Sequence, residues 1–262
     1  MERFHGKVAL ITGGGTGIGE ATAIAFAREG ARVVVASRRE EPLVNVVTKI
    51  KKAGGEATYF VVDVQHSEEV EQLVAYTVDK YGRLDIAFNN AGMNITAPIL
   101  ETTDEMIDVC LATNLKSVLY SLRAQVRQMR KQGGGGAIVN NASASGLMGH
   151  PNRAVYCSSK GGVVNLTRAI ALEVAAENIR INSICPWVIQ TPMLDEGWSV
   201  DPVMVQSYLD ATPMKRAGTS DETADLVAFL CSDAASFLTG MNVPIDGGFC
   251  AGVGQASPLK KQ

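Results

Sequence analysis

The sequence predicts an α/β fold: a doubly wound parallel sheet of about seven strands with helices on both faces. Three observations predict it. Short apolar runs recur along the chain, helix-length segments separate them, and a glycine-rich turn directly follows the first run. Short continuous apolar runs suit strands buried on both faces. They are Val8-Ala9-Leu10-Ile11, then Arg32–Ala36, Tyr59–Val62, Leu84–Phe88, Ala137–Val139 and Ile179–Ile184. The intervening segments, 18–29, 41–53, 68–81, 104–131 and 154–177, have helical length. Strand–helix–strand alternation with right-handed crossovers places the strands parallel and the helices on both sides.

No linker and no internal repeat interrupts the chain, so residues 1–262 read as one domain. Gly133–Gly136 reads as a flexible loop between a helix and a strand. Residues 191–216 carry Pro192, Trp198, Pro202 and Pro213 and break the alternation. They read as an irregular substrate loop. Residues 251–262 read as a C-terminal tail.

Charge and composition narrow the class of function. A net charge of −3 gives no electrostatic case for nucleic acid or an anionic membrane. No run has the length and purity of a membrane span, and the start Met-Glu-Arg-Phe-His does not read as a signal peptide. Five scattered cysteines without a Cys-x-x-Cys pair suit a reducing, cytoplasmic setting. The three histidines have no metal-ligand spacing, so no metal is expected.

Thr12-Gly13-Gly14-Gly15-Thr16-Gly17-Ile18-Gly19 joins the first strand to a helix. Glycine lets backbone approach a pyrophosphate closely, and the helix N-terminus offers free N–H groups. In that position the turn reads as a dinucleotide site. An acidic residue after the second strand would bind the adenosine ribose and repel a 2′-phosphate. Ser37-Arg38-Arg39 stands there instead, a hydroxyl and two guanidinium groups able to hold a phosphate. NADP(H) is therefore expected over NAD(H), although both arginines could equally be solvated at a strand end.

Tyr156 and Lys160 are four residues apart and share one helix face. A nearby ammonium favours the phenolate, so it is expected to lower the tyrosine pKa and ready it for proton transfer. Taken alone, Tyr-x-x-x-Lys is a weak signal, since both residues are common on exposed helix faces. The glycine turn strengthens it.

Together these motifs resemble the short-chain dehydrogenase/reductase family, over about residues 5–250. Thr-Gly-x-x-x-Gly-Ile-Gly matches its cofactor turn. Asp63-Val64 matches its adenine contact, and Asn89-Asn90-Ala91-Gly92 its adenosine-side signature. Asn114, Ser143 and the Tyr156/Lys160 pair match its catalytic set, and Asp246-Gly247-Gly248 its C-terminal signature. The resemblance implies a single-domain Rossmann fold and a homo-oligomer, tetramer or dimer. It implies that Tyr156 passes the proton and that Ser143 donates to the substrate oxygen. Lys160 would lower the Tyr156 pKa and bind the nicotinamide ribose. Asn114 would hold a water linking Lys160 to solvent. Pro186, Ile189 and Thr191 would pass the nicotinamide. The reaction implied is ketone–alcohol interconversion by an NADP(H)-dependent carbonyl reductase, acting on a small-molecule substrate.

The chain departs from the family where glycine usually follows Pro186. Trp187 stands there, either narrowing the substrate pocket or turning outward into packing. Asn141-Ala142 also replaces the more usual Ile-Ser, with no catalytic role put in doubt. Substrate contacts are expected from Ser143, Ser145, Leu147, Met148, Trp187, Val188, Met193, Leu194 and Trp198. Most are apolar, and none is an anchor for a carboxylate, so an uncharged, hydrophobic substrate is expected.

Two alternatives stand beside this reading. A 3-oxoacyl-[acyl-carrier-protein] reductase would want a basic patch for its acidic carrier. Arg123, Arg127, Arg130 and Lys131 share a helix face, although cations there also complement the helix dipole. A non-catalytic NADP-binding regulatory protein would typically lack the tyrosine or the lysine, and both are present.

Overall fold

A computed structural model describes residues 2–252, with side chains at 197 and 198 outside the description. The expected tail beyond Gly252 therefore lies outside the described residues. Seven strands form one sheet: β1 (Val8–Thr12), β2 (Arg32–Ser37), β3 (Glu56–Val61), β4 (Ile86–Asn89), β5 (Gly136–Asn141), β6 (Ile179–Pro186) and β7 (Asn242–Ile245). Their order is β3-β2-β1-β4-β5-β6-β7, and every neighbouring pair is parallel. This is the Rossmann arrangement. β7, absent from the strands named above, is a four-residue edge strand, half-buried and interrupted by Pro244. Proline is tolerated there because an edge position leaves its missing N–H without consequence.

Alternate residues of each central strand feed two cores. Ile11, Val33 and Val35 pack with Phe26, Leu43 and Val227 beneath α1 (Gly17–Arg28), α2 (Glu40–Lys52) and α9 (Ser220–Cys231). Leu10, Val34 and Ile138 pack on the other face with Leu73, Leu122 and Val163. Those three come from α3 (Ser67–Tyr81), α5 (Ser117–Gln132) and α6 (Ala154–Val174).

Two segments correct the sequence reading. The helix expected over 104–131 is α4 (Asp104–Leu111), a π-helical turn at Ala112–Lys116, and then α5. A π turn adds one residue to a helical turn without changing composition, so periodicity does not show it; such turns often fall at functional sites. The segment expected to be irregular holds two helices, α7 (Pro192–Val200) and α8 (Pro202–Ala211). Pro192 and Pro202 each open a helix, where a missing N–H costs nothing. The Asp201 carboxylate caps α8 by accepting from the Met204 N–H at 2.9 Å. Among the described residues, no helix is long and apolar enough to cross a membrane.

A buried polar chain fixes α6 to the sheet. Asn89 at the end of β4 exchanges hydrogen bonds with Gln125 of α5 (3.1 and 2.8 Å) and donates to Asn140 of β5 (2.9 Å). Asn140 in turn donates to Thr167 of α6 at 3.0 Å. Asn89→Leu strands the Gln125 amide and the Asn140 carbonyl, and a buried polar group left unpaired costs about 1–3 kcal/mol. Urea unfolding should therefore show Asn89→Leu less stable than wild type by about 2–4 kcal/mol, whereas a loss within a few tenths would mean the chain is not structural.

Candidate active site

The residues singled out by the sequence gather at the carboxyl ends of the strands, where the strand order reverses about β1. Ligands of open α/β sheets bind there. A cavity of about 510 Å³ runs along this edge. At its β2 end it is lined by Gly13, Gly15, Thr16, Gly17, Ile18, Ser37, Arg38 and Arg39. Asp63, Val64, Asn90, Ala91 and Gly92 continue it. Ser143, Ser145, Tyr156, Lys160, Pro186, Trp187, Val188, Ile189, Thr191, Met193 and Leu194 line it toward β5 and β6.

Not every expected residue reaches the cavity. Gly19 lies one turn inside α1; a Cβ there would stand 2.1 Å from the Gly13 carbonyl, so it permits close packing instead of lining the cavity. Leu147 and Met148 are more than a third exposed and line no part of it. They close the short 3₁₀ turn after Ser143, which turns them toward solvent. The Trp198 side chain lies outside the described residues.

The glycine turn fits a dinucleotide. Gly13 has φ +63°, and a Cβ there would meet the Asn90 amide at 2.8 Å. Asn90 donates to the Gly13 carbonyl (3.0 Å), and Thr12 Oγ1 accepts from the backbone of Asn90 and Ala91 (3.1 and 3.2 Å). Turn and β4 end thus form one surface. Ser37 Oγ donates to the Arg39 carbonyl at 3.2 Å. Arg38 and Arg39 are exposed, and neither enters an ion pair among the described residues. Of the two acids that follow them, Glu40 is engaged by the Tyr59 hydroxyl at 2.7 Å, and Glu41 enters no ion pair among the described residues.

Lys160 is 4% exposed and donates to the Asn141 carbonyl at 2.8 Å. Its Nζ stands 5.9 Å from the centre of the Tyr156 ring. Asn141 is a site residue that the sequence reading passed over. Its side chain donates to Asn90 Oδ1 at 2.8 Å, tying β5 to the β4 signature, while its own Oδ1 is buried without a partner among the described residues. Thr113 Oγ1 is likewise buried, unpartnered and at the cavity. These orphaned acceptors suit a polar ligand.

The expected direction of the Tyr156 shift is corrected. Burial pushes the phenol above its ordinary value, and the Ser143 hydroxyl and the Arg153 charge pull only partly back. The spacing argument counted the neighbouring charge and omitted desolvation. Lys160 is also governed by burial, which holds its ammonium down to about 8. Both groups are moved toward their neutral forms.

Ser143 is 7% exposed; its Oγ accepts from the Ser145 N–H at 3.1 Å and faces the Pro186 carbonyl at 3.5 Å. Asn114 sits in the π turn, fully buried, and does not line the cavity. It accepts from the Met93 N–H (2.8 Å) and donates to the Met93 carbonyl (2.9 Å) and Ser159 Oγ (3.2 Å). A Cβ on Gly92 would stand 3.2 Å from Asn114 Oδ1 and 3.4 Å from Lys160 Nζ, so only a bare backbone fits between them.

Trp187 does both of the things left open above. It lines the cavity, and its ring stacks on Phe249 (3.9 Å between centroids, 3° between planes) and His150 (4.9 Å, 17°). Its Nε1 donates to Thr212 Oγ1 at 3.1 Å. Two other cavity residues carry no sequence signal of their own: Arg153 and Tyr208. Arg153 adds to the cavity lining a guanidinium that the expected substrate contacts did not include. The basic stripe on α5 is partly paired: Arg127 and Arg130 pair with Glu71 and Glu177 at 2.8 and 2.6 Å, Arg123 approaches Glu71 at 3.9 Å, and Lys131 forms no ion pair among the described residues.

Comparison with known proteins agrees with this geometry. A family model described as enoyl-(acyl carrier protein) reductase, of the short-chain alcohol dehydrogenase type, matches residues 13–250. An A-factor type γ-butyrolactone 1′-reductase of Streptomyces virginiae is 40% identical over 245 residues, covering 93% of this chain and 95% of the relative. The crystal structure of levodione reductase superposes with a TM-score of 0.90 at 38% identity, covering 94% of this chain and 98% of that one. A variant of actinorhodin polyketide ketoreductase, solved with NADPH, superposes with a TM-score of 0.88 at 35% identity, covering 93% and 97%. The chain belongs to the short-chain dehydrogenase/reductase family, and is an NAD(P)-dependent oxidoreductase.

Lys160 gives the site a pH signature. Its folded-state pKa of about 8 lies below its ordinary 10.5, so the unfolded chain binds the proton more tightly. The burial penalty, about 3 kcal/mol, is present in full below pH 8 and fades as pH rises toward 10.5. In the absence of cofactor, wild type should therefore gain about 2 kcal/mol relative to Lys160→Met between about pH 7.5 and about pH 10 in urea unfolding. A difference that does not change with pH would show the ammonium to be solvated.

Proposed function

We propose that the protein interconverts a ketone and a secondary alcohol with NADP(H), using Tyr156 as general acid and base. The observation that carries this reading is that Tyr156, Ser143 and Lys160 share one cavity with the glycine turn and Arg38-Arg39. The bound nicotinamide supplies or accepts the hydride. Burial keeps the Tyr156 phenol protonated at neutral pH, ready to donate to a carbonyl oxygen during reduction. In the oxidative direction the same oxygen takes the proton from the alcohol. Ser143 donates a hydrogen bond to the substrate oxygen where negative charge develops. Lys160, protonated below about pH 8, stabilises the phenolate left after transfer and holds ribose hydroxyls. Asn114 secures the Met93 backbone against Ser159, one residue from Lys160.

Gly13, Thr16 and Gly17 would hold the pyrophosphate, and Asp63 and Val64 the adenine. Ser37, Arg38 and Arg39 would hold the 2′-phosphate. Support for NADP(H) comes from two exposed arginines that form no ion pair among the described residues. The five cysteines are unpaired, which suits a reducing compartment and supports a cytoplasmic assignment. We assign an assembly of two or four copies, supported by the exposure of Leu172 on α6 (82%) and Leu119 on α5 (42%). The carrier-protein alternative loses its main support, since the α5 arginines face Glu71 and Glu177.

Tyr156→Phe should lower kcat by about 10²–10⁴-fold and leave NADPH affinity within a fewfold of wild type; activity near the wild-type level would remove Tyr156 from the chemistry. Replacing both Arg38 and Arg39 with alanine should lower kcat/KM for NADPH by about 10²–10⁴-fold while that for NADH changes little, since charge-assisted bonds contribute about 1.5–3 kcal/mol each. A wild-type preference for NADH would sink the NADP(H) reading and leave the ketone–alcohol reading intact.

A further inference from the structure

We propose that Arg153 is a substrate-anchoring residue and that the substrate is an oxo acid, or the matching hydroxy acid. Its carboxylate would be held by the Arg153 guanidinium beside the carbon that Tyr156 serves. The proposal rests on the ketone–alcohol reading above and deepens it.

Arg153 stands at the N-terminus of α6, three residues before Tyr156, and both line the same cavity. Its guanidinium lies over the Tyr208 ring, 5.1 Å from the centroid, and one Nη donates to the Tyr208 hydroxyl at 3.1 Å. Nε is enclosed and has no hydrogen-bond partner among the described residues. Among the described residues, no carboxylate forms an ion pair with Arg153. A phenol does not neutralise a cation. The protein thus keeps a partly buried positive charge at its cavity with no internal counter-ion.

Such a charge is costly unless an anion meets it. Its field reaches the chemistry, because it acts on both Tyr156 and His150. The cavity's other cations are already accounted for: Arg38 and Arg39 at the far end, and Lys160 on the Asn141 carbonyl. The one acid on its lining, Asp63, follows β3, remote from Arg153 in the sheet order. The supporting wall is rigid. Tyr208 packs edge-on against Trp187 at 5.2 Å, and Trp187 is pinned by Phe249 and Thr212. A planar guanidinium held by an aromatic ring and its hydroxyl is preorganised for a planar carboxylate. If Arg153 served only to brace Tyr208, a neutral donor would do so without the unpaired charge.

The full-length protein is assayed with NADPH on acetoacetate, on levulinate, and on the methyl ester of each. At least one acid should exceed its ester in kcat/KM by about tenfold or more, expressed mainly in KM, as expected for a charge-assisted bond. Arg153→Gln should lower that acid-to-ester ratio by about tenfold or more, and Arg153→Lys should recover part of it, since lysine keeps the charge without the fork. Esters preferred in both pairs would overturn the proposal. So would a ratio that survives Arg153→Gln, including the case where both rates fall together with a displaced pH profile; Arg153 would then act on Tyr156 alone. If the wild type turns over none of the four, the ketone–alcohol reading fails for these probes, and the anchor is read by binding. Levulinate is then titrated calorimetrically into protein saturated with NADP⁺. Binding weakened about tenfold by Arg153→Gln supports the carboxylate site, and no binding to wild type overturns it.

Discussion

The site depends on one buried charge. Lys160 Nζ sits 4% exposed with the Asn141 carbonyl as its hydrogen-bond partner. An ammonium in that position demands that its surroundings be held to within fractions of an ångström, because a lost bond there is not replaced by water. The neighbouring features meet that demand. β5 ends where its last carbonyl reaches Nζ. Gly92 has no side chain to intrude between Nζ and Asn114. The chain Gln125–Asn89–Asn140–Thr167 ties α6 to β4, α5 and β5. Tyr156 occupies its place because it shares a helix with a lysine so constrained.

Burial acts on the two ends of this pair in the same chemical sense. It raises the phenol and depresses the ammonium, so each is biased toward its neutral form. An i, i+4 argument from sequence sees only the attraction between phenolate and ammonium. The structure adds a desolvation cost to both charges, and for Tyr156 that cost dominates. The result suits the proton donor proposed above: the phenol would hold its proton until a substrate oxygen accepts it, and Lys160 would then face a charge it can stabilise.

What the sequence showed and what it hid divide along physical lines. The central strands were legible because both their faces are buried, and β1 is apolar from Val8 to Ile11. β7 was not, since an edge strand with a half-buried pattern and a proline looks like a loop. Pro192 and Pro202 misled for a related reason: proline opening a helix and proline breaking one are the same letter. Tyr156, Lys160, Ser143 and the glycine turn were legible through spacing and resemblance. Arg153, Tyr208, His150 and Phe249 were not, because only the tertiary fold brings β6, α8 and the C-terminal turn together. The NADP(H) expectation rests on a local signal, Ser37-Arg38-Arg39, and those guanidinium groups form no ion pair among the described residues.

Trp187 shows how a departure from a family pattern is absorbed. An indole where the resemblance calls for glycine would obstruct the cavity if its ring pointed across it. Instead the ring stacks against Phe249 and His150 and is fixed by Thr212. Thr212 can reach it because Gly247, at φ +60°, has no Cβ; one there would stand 2.8 Å from the Thr212 methyl. Gly247 also accepts from the Met214 N–H at 3.2 Å, holding the end of α8 against the C-terminal turn. Asp246 accepts from the N–H groups of Gly248 and Cys250 at 2.9 and 2.7 Å, which sets the turn that presents Phe249. The Asp246-Gly247-Gly248 signature is therefore linked to the cavity wall through Trp187, and through Tyr208 to Arg153. A change at the C-terminal turn has this packed route to the β6 end of the cavity, remote from the glycine turn after β1.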